Sequence, residues 1–179
     1  MQNTYLQKNQ AACYTLESAT CGFLIGYLDM DKKTALQRLQ RYCAQAEHCH
    51  YEVQQKLRDW GVGRDDADEI ILELIEDRFL NEGRFALAFV HDKFHLQQWG
   101  KTKIVQHLRQ KRVSDNCIDE ALEQIKPSHY AETIEQLARR KAAQLPNGLH
   151  YLQRKQKIVA FLLQRGFEFE QIMPLLEQI

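Results

Sequence analysis

From Lys32 onward the apolar residues recur every three or four positions, the period of a helix with one buried face. Segments near Lys32 to Ala46, His50 to Trp60 and Arg64 to Asp77 carry the pattern in turn, with Gly61 and Gly63 marking the break between the last two. The third opens on Asp65 and Asp66, whose charge suits the positive end of a helix dipole. Almost no stretch alternates with the two-residue period of a strand, and after Met30 only Pro127, Pro146 and Pro174 interrupt the chain. The pattern predicts an all-α fold.

The pattern also repeats. Leu57, Val62, Ala67, Ile71 and Leu74 recur as Leu108, Val113, Ile118, Leu122 and Ile125, and again, at a nearly equal offset, as Leu162, Phe167, Ile172, Leu176 and Ile179. In each copy the first residue ends one helix, the second falls in a short turn, and the last three share one helical face. The turns read Trp60-Gly61-Val62, Lys111-Arg112-Val113 and Arg165-Gly166-Phe167, so an apolar anchor sits between two helices each time. A helix precedes each pair, with Ala35, Leu36 and Leu39, then Phe85, Ala88 and Phe89, then Ile134, Leu137 and Ala138 on its expected core stripe. The expected architecture is three tandem three-helix repeats, 31–79, 80–126 and 127–179, forming an elongated, curved array.

Residues 1–30 show no sustained helical period and read as a loosely packed or disordered tail; the ordered pattern begins right after Met30, which makes Met30 an alternative start of the chain. The apolar run Gly22 to Leu28 is far shorter than the roughly 20 residues that span a bilayer and has no basic flank, so neither membrane insertion nor secretion is expected. Cys13, Cys21, Cys43, Cys49 and Cys117 are odd in number and lack close pairing, which reads as free thiols in a reducing, cytoplasmic setting. Cys43, His48, Cys49 and His50 lie close together but lack the paired CxxC spacing of a closed zinc site, so a helix end is the expected reading and no metal is assigned.

Charge changes the picture more than composition does. The chain is formally neutral, with 24 basic and 24 acidic residues. Yet residues 31–80 are net −3, while 81–126 and 127–179 are each net +2. Lys93, Lys101, Lys103, Arg109, Lys111 and Arg112 occupy a stretch without Asp or Glu, and so do Arg139, Arg140, Lys141, Arg154, Lys155, Lys157 and Arg165. Such local excess builds a positive surface for phosphates or an acidic protein, and equally fits a solvated helix face. On the second helix of the middle repeat, Lys103, His107, Gln110 and Lys111 fall on a polar stripe opposite Ile104, Val105 and Leu108.

Catalytic signatures are missing: there is no GxxxxGK[ST] loop, HExxH helix or GxSxG elbow. Glu73, Glu76 and Asp77 are neighbouring carboxylates on an amphipathic helix with nothing to orient a substrate beside them, and His91, His95 and His107 serve a binding face as well as a general base. No catalytic residue and no cofactor is assigned.

The run Arg84-Phe85-Ala86 with Ala88-Phe89-Val90, then Trp99-Gly100, Ile104, Leu108-Arg109-Gln110-Lys111 and Val113, resembles the middle repeat of the RecX family of bacterial recombination regulators. The closing Phe161-Leu162-Leu163-Gln164-Arg165-Gly166-Phe167 is similar to that family's third repeat, and the resemblance extends over roughly Lys32 to Ile179. Arg112 stands where the family commonly has glycine. The resemblance implies a non-enzymatic, monomeric, cytoplasmic regulator of recombination, DNA repair and the SOS response. Such a regulator binds the RecA recombinase, lodges in the groove of its filament on DNA, and lowers its ATPase, strand-exchange and coprotease activities. The expected contacts to RecA or DNA are Arg84, Lys93, Lys101, Lys103, Arg109, Lys111 and Arg112 in the second repeat, and Arg139, Arg140, Lys141, Arg154, Lys155 and Lys157 in the third. A helical module acting on DNA without RecA is the alternative, because helix pairs with short turns also resemble helix-turn-helix readers.

Overall fold

The computed structural model describes residues 30–146 and 148–176, so the expectations placed on residues 1–29 and on Ile179 lie outside the described residues. All regular structure among the described residues is helical. Helices α1 (Lys32–Gln45), α2 (His50–Asp59) and α3 (Arg64–Glu76) form the first repeat, each within a residue or two of the expected bounds. The second holds α4 (Glu82–His91), α5 (Lys101–Gln110) and α6 (Asp115–Glu123), and the third α7 (Pro127–Ala143), α8 (Tyr151–Gln164) and α9 (Phe169–Leu176). The array is the tandem three-helix one that the sequence predicts.

Local chemistry sets the ends of these helices. Asp31 caps α1 by accepting from the Thr34 N–H at 2.8 Å and its hydroxyl at 2.7 Å, and Asn81 caps α4 by accepting from the Arg84 N–H at 2.8 Å. Pro127 opens α7, where its missing N–H has no intrahelical role. Pro174, by contrast, lies inside α9 rather than ending it. The first helices repeat as faithfully as the later pairs: Ala35, Leu39 and Cys43 of α1 are buried, as are Ala86, Val90 and Phe94 at the matching positions of the second repeat. Phe94 reaches the core from a π-helical turn, Asp92–Leu96, that extends α4.

The turn anchors behave as expected in two copies of three. Val113 and Phe167 are buried, whereas Val62 is half-exposed. In all three the anchor N–H donates to the carbonyl five residues back, Leu57, Leu108 or Leu162, at 3.0 to 3.2 Å. The residue before it is left-handed: Gly61 at φ 72°, Arg112 at 59° and Gly166 at 89°. This is the Schellman end of a helix, and Arg112 adopts it despite its side chain.

Two expected phases are corrected. On α4 the buried residues are Phe85, Ala86 and Val90, with Ala88 and Phe89 only half-buried, because α4 turns the Ala86–Val90 side toward α6. On α3 and α6 the deepest middle positions are Ile70 and Ala121, one residue before the expected Ile71 and Leu122. A spacing of three and then four lies on a helix face as well as four and then three, so the apolar pattern admitted both.

Among the described residues the buried side chains form two cores. Ala35, Leu39, Val53, Leu57, Ile70 and Leu74 pack within the first repeat. A second core runs without a break through the other two repeats, from Phe85, Phe94, Ile104 and Leu108 to Ile134, Leu162, Phe167 and Ile172, and Cys49 of the first repeat joins it.

The second and third repeats are also fastened by backbone. The Gly100 N–H donates to Arg165 O at 2.9 Å and the Thr102 N–H to Gly166 O at 3.1 Å, so the start of α5 caps the end of α8. The Lys101 N–H between them donates to the Tyr130 hydroxyl at 3.1 Å, and that hydroxyl donates to Glu168 at 2.5 Å. A Cβ on Gly100 would lie 2.1 Å from Gly166 C and O, so only glycine permits this approach.

Candidate functional site

The expected basic residues do not form one patch, because α5 shows its two polar sides to different surroundings. Lys101 and Arg109 line a groove of about 840 Å³ with Thr102, Val105, Gln106, Leu122 and Glu168. Arg109 is paired there with Asp115 at 2.9 Å, and the Lys101 ammonium lies 5.2 Å above the Tyr130 ring. Lys103 and Lys111 lie with His107 on the other side. Successive residues of a helix are about 100° apart, which sets Lys101 and Lys103 on nearly opposite sides.

On that second side the side chains gather around Trp99. Gln98 is left-handed at φ 53°, and the Trp99 N–H donates to Lys93 O at 2.9 Å, which ends the first helix and turns the indole toward α5. The Lys103 ammonium lies 4.4 Å and that of Lys93 5.1 Å from the indole centre, with the His107 ring 4.8 Å away. Phe89 offers Lys93 a second ring at 5.3 Å. None of these cations meets a carboxylate among the described residues. Partial burial and the charges of Lys103, Lys93 and Lys111 push the His107 imidazole below its ordinary value, as expected in a positive environment.

This cluster continues into the third repeat. Gly166 is packed on Lys103, and Arg165 donates to Gln97 O at 3.0 Å, two residues before Trp99. Arg140 donates to Gln98 Oε1 at 2.5 Å. The Arg165 guanidinium lies 5.0 Å from the Phe161 ring centre, and the Lys141 ammonium 5.2 Å from the same ring. Lys141 and Phe161 then share a shallow pocket with Lys157. The stripe therefore runs from Lys93 and Lys103 through Arg140 and Arg165 to Lys141 and Lys157.

Other expected contacts are placed elsewhere. Arg84, Lys111 and Arg112 face the first repeat: Arg84 pairs with Glu47 at 3.0 Å, Lys111 bonds to Glu52, and the Arg112 guanidinium lies 5.4 Å from the Tyr51 ring centre. Burial pushes the Glu52 carboxyl up, but the bonds from Lys111 and from His48 at 2.9 Å outweigh it and hold the carboxyl below the usual range. Arg139 pairs with Glu135 within α7, and Arg154 donates to Ala142 O at 2.8 Å, tying α8 to α7. Lys155 is half-buried and Lys157 exposed, and neither has an ion pair among the described residues.

The Cys43 to His50 cluster is used in packing: Cys43 and Cys49 are buried thiols, and His48 stacks on Tyr42 at 3.6 Å. Burial, with the nearby Glu47 and Glu52, raises the Cys43 thiol to about 11, which keeps it protonated and unreactive at neutral pH. The His91 and His95 rings lie 4.7 Å apart, tilted to each other, with His129 5.1 Å from His95, apart from the stripe. Among the described residues no group of three His, Cys, Asp or Glu is arranged to hold a metal ion, and no helix is long and apolar enough to cross a membrane.

Sequence reasoning passed over Trp99 as an organiser of charge, Arg165 as a connector, and Lys56 as a surface contact. Lys56 aligns with His107 and then with Phe161 at the same offsets that revealed the repeats, a signal that marks this position but not Trp99.

Residues 81–122 match the family model described as RecX, second three-helix domain, and residues 129–176 the one described as RecX, third three-helix domain. A regulatory protein RecX from Halorhodospira halophila is 34% identical over 132 residues, covering 74% of this chain and 80% of its own. Another, from Vibrio vulnificus, is 32% identical over 146 residues, covering 79% of this chain and 87% of its own. The crystal structure of RecX from Lactobacillus salivarius matches the fold with a TM-score of 0.75 at 24% identity, over 82% of this chain and 95% of that one. The chain belongs to the RecX family of regulatory proteins.

Proposed function

We propose that this protein regulates recombination and DNA repair by binding the RecA recombinase filament on DNA, occupying its groove, and lowering its ATPase, strand-exchange and coprotease activities. It acts as a cytoplasmic monomer without a catalytic centre of its own, and its units are the three repeats 31–79, 80–126 and 127–179. The observation that carries this reading is the stripe of unpaired cations passing from the second repeat into the third across a junction that backbone hydrogen bonds hold fixed. A rigid positive edge of this kind suits a partner whose charge extends over a distance, as a filament on DNA does.

RecA ATPase on single-stranded DNA is the assay that tests it. Substoichiometric protein is expected to inhibit, and Lys103→Gln with Lys141→Gln to weaken inhibition at unchanged helical content. The turns between paired helices favour a second reading, a DNA-binding module that works without RecA. Unchanged ATPase beside DNA affinity that falls steeply with salt would establish the second reading and sink the first.

A further inference from the structure

The stripe has an internal period. In each repeat the first and second helices meet at a seam. With the first helices aligned on the buried Leu39, Val90 and Ala138, the same two positions come together there, 42 with 56 and 141 with 161 directly, and 93 with 107 through a shared ring. In the first repeat the aromatic ring comes from α1 and the cation from α2, with the Lys56 ammonium 4.2 Å from the Tyr42 ring centre and 6.0 Å from that of Trp60. In the third the roles are exchanged, Lys141 coming from α7 and Phe161 from α8. In the second, Lys93 and His107 meet on Trp99. Each seam thus carries a cation beside a ring, the ring coming from one of the two helices in the first and third repeats and from Trp99, between the helices, in the second.

These seams are joined in space. Lys56 is one helical turn from Glu52, Glu52 bonds to Lys111, and Lys111 is one turn from His107 and two from Lys103. The row of α2 therefore meets the row of α5 at the Glu52–Lys111 ion pair, as the row of α5 meets that of α8 at Arg165.

We propose that the three seams are equivalent subsites of one track for the phosphodiester backbone of a nucleic acid, so that the first repeat, acidic as a whole, contributes a backbone contact through Lys56. The inference rests on the reading above that the stripe is the binding surface. The residue type favours phosphates over an acidic protein. The unpaired cations Lys56, Lys93, Lys103 and Lys141 are all lysines, compact point charges, whereas carboxylates are best met by the two-pronged guanidinium. The arginines on the stripe, Arg140 and Arg165, are occupied with Gln97 and Gln98. The recurrence of a cation site in every repeat also suits a backbone that carries charge at every step.

The track is tested by fluorescence anisotropy of a labelled oligothymidylate across a sodium chloride series, with Lys56→Gln, Lys103→Gln and Lys141→Gln. Lys33→Gln is the control: Lys33 is exposed on α1, nine residues before Tyr42, and so on the opposite side of that helix. Each seam variant is expected to lower the slope of log affinity against log salt by about 0.7, the single-strand value for one phosphate contact, with Lys33→Gln unchanged. Lys56→Arg should restore the slope, which a purely structural role for Lys56 in packing would not require. If Lys56→Gln matches Lys33→Gln while the other two lose slope, the track stops at the first repeat and the proposal fails, with the regulatory reading intact. If the protein binds polyglutamate and not oligothymidylate, the surface is one for acidic protein and the proposal likewise fails. Loss of RecA inhibition is read separately, in the ATPase assay, and its absence with normal oligonucleotide slopes would strike the regulatory reading alone.

Discussion

Arg112 and Gly166 occupy the same turn position, share a left-handed backbone, and sit in different surroundings. A side chain in that conformation costs about 1–2 kcal/mol, a cost that Arg112 bears at an open surface with Tyr51 beneath it. Gly166 has no such room, since its Cβ would lie 2.3 Å from Lys103 Cβ. Gly166→Ala should therefore destabilise by about 2–4 kcal/mol in urea unfolding, the sum of backbone strain and overpacking. Arg112→Gly should stay within about 1 kcal/mol of the parent, relief of strain being offset by the entropy of glycine. Equal effects at the two sites would contradict the packing described. The phenylalanines divide in the same way. Phe167→Ala should cost about 3–5 kcal/mol, and Phe89→Ala, half-buried and facing Lys93, about 1–2 kcal/mol. Equal losses would restore the core stripe first expected for α4. That difference was not legible beforehand, because Phe85, Ala88 and Phe89 have helical spacing just as good as Phe85, Ala86 and Val90.

At the scale of an element, α5 carries most of what distinguishes the second repeat. Its core side, Ile104 and Leu108, was plain from the spacing of apolar residues, and both are fully buried. Its basic sides were not, because a count of lysines along a chain has no direction. Lys101 and Arg109 line the groove, Lys103 joins Trp99, and Lys111 reaches across to Glu52. Lys111 is therefore partly structural, and neutralising it together with Lys103 would confound binding with stability. Glu52→Gln should cost about 1–2 kcal/mol at neutral pH, the scale of hydrogen bonds to a charged group that is partly exposed. The carboxyl of Glu52 is held below its usual value, so its contribution is present above the ordinary glutamate pKa of about 4.3 and lost as pH falls through the lower folded value. The gap between parent and Glu52→Gln should close over that acid range, as read by urea unfolding at several pH values. A constant gap would mean the carboxylate charge is not what the junction uses.

For the whole molecule, the order of helices was legible, since the near-equal offsets between the repeated apolar sets carry it directly. The grouping of cores was not. Tandem repeats read from a sequence are equal by construction, whereas the structure gives the first repeat a core of its own and the other two a common one. What fuses them is backbone contact at Gly100 and Gly166, and a sequence shows such an approach only as two glycines in different repeats, far apart along the chain. Hydrogen exchange should accordingly show α1 to α3 opening as one unit and α4 to α9 as another of higher protection. Gly100→Ala should lower protection throughout α4 to α9 and leave α1 to α3 nearly unchanged. A loss confined to α4 to α6 would show that the second and third repeats are separate after all.

The capping of α8 by the start of α5 also has a consequence for the order in which the chain is made. The carbonyls that receive the Gly100 and Thr102 N–H groups belong to Arg165 and Gly166, which leave the ribosome only after α6, α7 and α8 have been synthesised. Until then the second helix of the middle repeat has an open end, and Phe167, Ile172 and Leu176 of its core are not yet made. The first repeat, complete by Leu80, can settle as it emerges. A nascent chain stalled before α8 would therefore carry one folded repeat and a second core that lacks Ile158, Leu162, Phe167, Ile172 and Leu176.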